Sequence, residues 1–331
     1  MSRVLGATAI QCSAVSRAWR ESATSTRLAT PGFVHVAGFS NKCGAQVRNI
    51  LQTMFGKRSA VVPSSSAVRA TLPMFPFAAQ PEDAYPGQGG SANPLQGVCP
   101  VCGMSCTFER FTANMRESGF CSSCGSFNRQ RQLAHVLRKQ CGLRAAGVMV
   151  FPQDFVIYNT ESNGAMHTQL SIASGYLCSE YFGEEYERGQ DVGGRRHEDL
   201  QNLSFGDASI DLVLSSDVLE HMPDPYRAHS EIFRVLRPGG RHIFTVPFNA
   251  QAARDDIRAK FVDGQIVYLA DKQFHGDPVR PDEGILVWTI FGLEMLVRLA
   301  DIGFQPSAWN LYQPDEGIVG SYSLVFEAHK A

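Results

Sequence analysis

Apolar positions along this chain follow two periods, and the switch between them is sharpest over residues 209–248. Ile210 to Leu214 is a short β-branched and leucine-rich run, the pattern of a strand buried on both faces. Pro225 suits a first helical turn, where its missing N–H costs nothing, and Ala228, Ile232, Val235 and Leu236 then recur at helical spacing. Pro238-Gly239-Gly240 stops that helix, and His242 to Val246 supplies a second strand. A parallel strand–helix–strand unit belongs to a doubly wound α/β sheet. Further strands are expected at Phe155–Tyr158 and Gly175–Glu180, and a helix at 128–140 with Leu133, Val136 and Leu137 inward. Trp288, Phe291, Leu293, Met295 and Leu296 read as the core side of a late amphipathic helix. The longest apolar stretch, 284–304, is broken by Glu294 and Arg298, so no transmembrane helix is expected.

The 331 residues have room for one large domain and a smaller one. Net charge is −2, so overall charge points to no polyanion partner. Its distribution says more: residues 1–80 hold nine basic residues and a single acid, Glu21, whereas the remainder is acidic on balance. An Ala-, Ser- and Arg-rich segment poor in acid reads as a mitochondrial or plastid transit peptide; without import the protein would be cytoplasmic. Within it Val47, Ile50, Leu51, Met54 and Phe55 share one helical face, with Arg48, Lys57 and Arg58 off it. That stretch is either an import or membrane-surface helix or a packing helix of the mature protein. Residues 63–95 read as a flexible linker, so residues 1–90 are expected to be disordered and transit-peptide-like.

Four of nine cysteines are ordered by spacing. Cys99-x2-Cys102-Gly and Cys121-x2-Cys124-Gly are two knuckles separated by 18 residues, a structural-zinc pattern. Each turn can place two thiolates about 2.3 Å from one Zn²⁺, and four thiolates leave no open position for catalysis. Gly103 and Gly125 let the backbone curl behind each pair. Disulfides or a redox dithiol are the competing readings, and Cys106 is near enough to substitute as a ligand. A zinc-ribbon-like module over 96–142 would then precede a larger domain over 146–331. Arg129, Arg131, Arg138 and Lys139 are expected on a solvated face of the 128–140 helix, with contact to nucleic acid or an anionic substrate as the alternative.

The central phrase also carries a family resemblance. Asp217-x-x-Glu220-His221, followed by Ala228-x-x-Glu231-x-x-Arg234-Val235-Leu236-Arg237-Pro238-Gly239-Gly240, resembles class I S-adenosylmethionine-dependent methyltransferases of type 11. The resemblance runs from Cys99 to the C-terminus, and there the chain looks like zinc-knuckle-bearing members of that group. It implies a Rossmann-like fold with a mostly parallel sheet, and S-adenosylmethionine as cofactor. The first strand should end in an acid and a glycine-rich turn; here Glu161 is present, but of the family's three alternating glycines only Gly164 remains. Asn163 can adopt a left-handed conformation in place of one. Glu180, 19 residues after Glu161, stands where an acid binds ribose hydroxyls. Asp199 and Leu200 match the adenine-reading pair, and Ser215 and Ser216 would flank the methionine part. A nicotinamide enzyme would want G-x-G-x-x-G after its first strand, and none is there.

Methyl transfer to a protonated nucleophile needs a base, and His221 and His275 are the candidates. His275 lies in a His-Gly-Asp-Pro turn where the family inserts substrate-specific residues. Asp217, Glu220 and His221 resemble a divalent-cation cluster of ubiquinone-pathway O-methyltransferases, against which stands a polar helix-start network. Arg254, Arg258 and Lys260 could hold an anionic group. The expected acceptor is a small molecule, with O-methylation ahead of S- or N-methylation. The alternatives are an rRNA or tRNA methyltransferase with a zinc module, and a non-catalytic binding protein that keeps the fold.

Overall fold

The computed structural model describes residues 66–71, 94–144, 146–276, 282, 284–320 and 324–331. The amphipathic basic stretch 47–58 lies outside the described residues. Seven strands form one sheet: β1 (Ser66–Thr71), β2 (Ile157–Asn159), β3 (Tyr176–Cys178), β4 (Ile210–Ser216), β5 (Leu236–Thr245), β6 (Phe304–Tyr312) and β7 (Leu324–Lys330). Their order is β1-β6-β7-β5-β4-β2-β3. Neighbours from β5 through β4 and β2 to β3 are parallel, while β7 runs antiparallel between β5 and β6, and β1 antiparallel to β6. Helices α1 (Asn128–Gln140), α2 (Gly164–Leu170), α3 (Pro225–Val235) and α4 (Glu294–Ile302) cover it. No described helix is long and apolar enough to cross a membrane.

Side-chain alternation sorts the layers. Leu212 and Leu214 of β4, with Ile157 and Ile243, share a buried cluster with Leu133, Val136 and Leu137 of α1 and Met166 and Leu170 of α2. On the opposite face His242 and Phe244 of β5 meet His229 of α3. Strands buried on both sides need apolar residues at successive positions, and that need accounts for the continuous run in β4.

The β4–α3–β5 unit follows its sequence signals closely. Asp224 caps α3 by accepting from the Arg227 N–H at 3.0 Å, and Pro225 occupies the first position. The helix ends at Val235, earlier than Pro238, because Leu236 is already extended and pairs with Ile210. Pro238-Gly239-Gly240 instead makes the irregularity between Leu236 and Arg241, so the strand starts at Leu236 rather than His242. Gly239 takes φ 82°, a conformation that favours glycine.

Three other expectations shift. Residues 66–71, read as linker, pair along β6 from Ser66↔Tyr312 to Thr71↔Ser307. The first parallel strand is Ile157–Asn159, two residues later at its start than the apolar run suggests. Trp288 and Phe291 precede α4 instead of lying on it: the Trp288 N–H bonds to the Glu220 carbonyl and the Phe291 N–H to that of Pro247.

Candidate functional site

The C-terminal ends of β2, β3 and β4 open onto one crest, the place where open α/β sheets bind ligands. Past β2, the Thr160 N–H bonds to the Leu214 carbonyl at 3.1 Å, so Glu161 follows the last rung of the ladder. Burial pushes the Glu161 carboxyl up to about 7 against the pull of Arg129, and the carboxylates of Glu180, Asp217 and Glu117 add to the rise. Glu180, just beyond β3, reaches back to this turn: its Oε1 accepts from the Ser162 N–H at 3.0 Å and the Ser162 hydroxyl at 2.8 Å. Gly164 opens α2 at φ +80°, whereas Asn163 is extended at φ −146° and does not replace a missing glycine by a left-handed turn.

The remaining candidates separate. Asp199 caps its own turn, accepting from the Gln201 N–H at 2.9 Å, beside buried Leu200. Ser215 and Ser216 point to opposite faces because strand residues alternate. Ser215 bonds to His242 Nε2 at 2.9 Å on the α3 face, so it does not flank the crest; Ser216 meets Arg129 there.

Arg129 is the residue that sequence reasoning misplaced. Its guanidinium holds Glu117 through two bonds, at 2.6 and 3.0 Å, and donates to Ser216 Oγ. Asp217 is gathered into the same network: Oδ1 accepts from Arg116 at 2.8 Å and from the Thr245 hydroxyl at 2.9 Å, with Arg129 3.5 Å from Oδ2. Burial would raise the Asp217 carboxyl, yet Arg129 and Arg116 hold it below its ordinary range. Arg131 is 0% exposed and donates to the carbonyls of Ser126 and Gly317; Arg138 donates to those of Pro100, Arg144 and Gly147. Of the four basic residues expected on a solvated face of α1, only Lys139 is exposed, and the three arginines turn inward. Each guanidinium has internal oxygen partners, which is what its burial requires.

Asp217 being taken, it is not grouped with Glu220 and His221 as the divalent-cation resemblance would have it. Glu220 and His221 are joined instead by His275. His275 Nδ1 lies 3.2 Å from His221 Nε2, and each of these nitrogens is 3.7 Å from Glu220 Oε1. His221 Nδ1 donates to the Leu286 carbonyl at 2.9 Å. Glu220 is completely buried, neither carboxylate oxygen has a hydrogen bond, and burial with the neighbouring Asp217 charge pushes its carboxyl well up. Arg258, offered for an anionic group, pairs with Asp256 at 2.9 Å and with the Asp271 carbonyl.

The two knuckles fold as near copies. Gly103 N–H bonds to the Cys99 carbonyl and Gly125 N–H to that of Cys121, with φ values of 72° and 74° at the glycines. The four Sγ atoms of Cys99, Cys102, Cys121 and Cys124 all lie within 4.8 Å of one another, and Cys99 and Cys124 are 3.8 Å apart. Four thiolates at 2.3 Å from a tetrahedral ion would be about 3.8 Å apart. Cys106 lies outside this group.

The strand order, the β4–α3–β5 crossover and the crest of acids define a domain of the class I methyltransferase fold. In sequence, residues 165–244 match the family described as "Methyltransferase domain". An uncharacterized methyltransferase of Mycobacterium sp. (strain KMS) is 31% identical over 115 residues, 34% of this chain and 46% of that relative. The chain thus spans under half the length of this curated relative. Among solved structures, an S-adenosylmethionine-dependent methyltransferase from Mesorhizobium loti is 17% identical, covering 54% of this chain and 93% of that one at a TM-score of 0.34. The 1,6-didemethyltoxoflavin-N1-methyltransferase of Burkholderia thailandensis is 18% identical, covering 61% and 78%, also at 0.34.

Proposed function

We propose that this chain is an S-adenosylmethionine-dependent methyltransferase acting on a small-molecule acceptor, at oxygen in preference to sulfur or nitrogen. The observation that carries the cofactor half is the gathering of Glu161, Glu180 and Asp217 at the strand ends, where burial first, and the neighbouring carboxylates after it, raise the Glu161 carboxyl to about 7. A ligand bearing a sulfonium and an ammonium group would relieve that crowding, so the donor set fits the cofactor. Glu161, Gly164, Glu180, Asp199, Leu200 and Ser216 are the residues that would hold it. S-adenosylmethionine supplies the methyl group as an electrophile on a cationic sulfur.

The chain's own chemistry falls to positioning and proton removal. Because His221 donates from Nδ1 to Leu286, its Nε2 accepts from His275 Nδ1, and His275 Nε2 is the remaining basic atom, where an acceptor hydroxyl would displace the long 3.4 Å contact from the Gln273 amide. An acceptor hydroxyl would give its proton to that nitrogen as the oxygen takes the methyl group. Arg129, Arg131 and Arg138 are turned inward, which supports a small acceptor over an RNA gripped by the knuckle helix.

Zinc on Cys99, Cys102, Cys121 and Cys124 belongs to the same proposal. Its support is the sulfur spacing and Arg131, a buried cation that feels Cys99, Cys121 and Cys124 of the four thiols, whose complex with Zn²⁺ would carry a compensating negative charge. The basic residues 1–80 support import into a mitochondrion or plastid, which a reporter fused to residues 1–90 would test.

Calorimetry with S-adenosylmethionine is the decisive experiment. Micromolar binding is expected; no heat and no thermal shift at millimolar cofactor would overturn the reading in favour of a non-catalytic protein. Transfer of labelled methyl into fractionated extract should then appear in small molecules. Label confined to RNA would overturn the acceptor class.

A further inference from the structure

The cysteine module does more than stand beside the methyltransferase domain. We propose that its helix supplies the residue that binds the carboxylate end of the cofactor, and that this residue is Arg129. The inference rests on the cofactor reading above and goes beyond it, since nothing in the strand-end phrases points to α1.

Four observations converge on it. Arg129 is the second residue of α1 and lies five positions after Cys124, so the second knuckle fixes where it meets the sheet. Its guanidinium donates to Ser216 at the last position of β4 and feels the charge of Glu161 after β2, so it bridges the ends of two adjacent parallel strands. The next residue, Gln130, presses on the cofactor turn: a Cβ at Gly164 would lie 3.3 Å from its side-chain amide. Finally, a guanidinium has five N–H donors, and Glu117 and Ser216 take three of Arg129's, leaving two for a ligand.

Charge balance selects this residue over its neighbour. The crest carries Glu161, Glu180 and Asp217, which suit the cationic groups of an amino-acid sulfonium and repel its carboxylate. A cation at the same crest is needed for that end. Both arginines reach Asp217, Arg116 from the rim, but the cation that acts on Glu161 is Arg129. Arg129 also holds Glu117, a partly exposed carboxylate, in the bidentate geometry that a ligand carboxylate would adopt. Glu117 thus occupies the position that an incoming carboxylate would take or share.

The test compares two ligands that differ in the part Arg129 would read. S-adenosylhomocysteine carries the α-carboxylate, and 5′-methylthioadenosine lacks the whole amino-acid end. In the full chain, Arg129→Gln should weaken S-adenosylhomocysteine binding at least tenfold by calorimetry while leaving 5′-methylthioadenosine unchanged. Arg129→Lys, which keeps the charge and loses the fork, should fall between the two. Equal losses for both ligands, or a loss for neither, would overturn the assignment. If Arg129→Gln does not fold, Arg129→Lys decides by the same selectivity. A wild-type chain that binds neither ligand would sink the cofactor reading itself, a result distinct from the loss of selectivity.

Discussion

Two helices cover opposite faces of the sheet and bury polar groups by opposite means. On one face α1 buries Arg129, Arg131 and Arg138, and every guanidinium is met by carbonyl, hydroxyl or carboxylate oxygens. On the other, α3 buries His229 with neither ring nitrogen bonded, against His242 and Phe244. A guanidinium cannot shed its charge, so it enters a core only where partners are built around it. An imidazole can, and burial lowers His229 to about 3, so it sits there as a neutral aromatic ring. The first layer is held by specific long-range partners, the second by packing and by the absence of a proton.

The comparison can be broken most severely at the knuckles. Cys99→Ser and Cys121→Ser should each abolish bound zinc and lower the melting temperature by about 10 °C or more, since structural zinc contributes directly to folding. Metal analysis with circular dichroism checks this; unchanged zinc content would refute the site. Arg131→Met should come next. It strands the Gly317 and Ser126 carbonyls and should cost about 2–4 kcal/mol in urea unfolding. A neutral result would mean that α1 does not depend on its partners.

For the α3 layer the lever is pH. His229 has a folded pKa below its unfolded one, so the unfolded state binds more protons between about 6.5 and 3, and stability falls as pH falls through that window. The slope from this group should approach about 1.4 kcal/mol per pH unit well inside the window, and His229→Phe should flatten it. Parallel stability–pH curves for the two proteins would contradict the neutral-ring account. The smallest effect belongs to the hairpin pairing Ala259–Val262 with Gln265–Tyr268, where Phe261 is 50% exposed. Phe261→Ser should change stability by about 0.5 kcal/mol or less, and a larger loss in denaturant titration would extend the core beyond the two layers.

What was legible in the chain was local. The β4–α3–β5 unit announces itself through period, Asp224-Pro225 and Pro238-Gly239-Gly240, and the cysteines through spacing. Asp263-Gly264, with φ of 50° and 75°, was a readable hairpin signal between apolar runs that the periodicity argument passed over. The contacts that make the site were not readable. Arg129 meets Ser216 across 87 positions and His275 meets His221 across 54, and no local pattern encodes such encounters. Arg131 and Arg138 looked like a solvated face because their partners are backbone carbonyls, which carry no residue-type signal.

Strand β1 has a bearing on where the chain tolerates cleavage. It lies along the outer edge of β6, where an unpaired row of N–H and C=O groups would offer itself to another chain. Any proteolytic cut on the N-terminal side has to fall before Ser66 for the chain to keep this edge covered. Processing beyond Thr71 would strip the guard from β6 and turn the sheet's border into a docking strip for self-association.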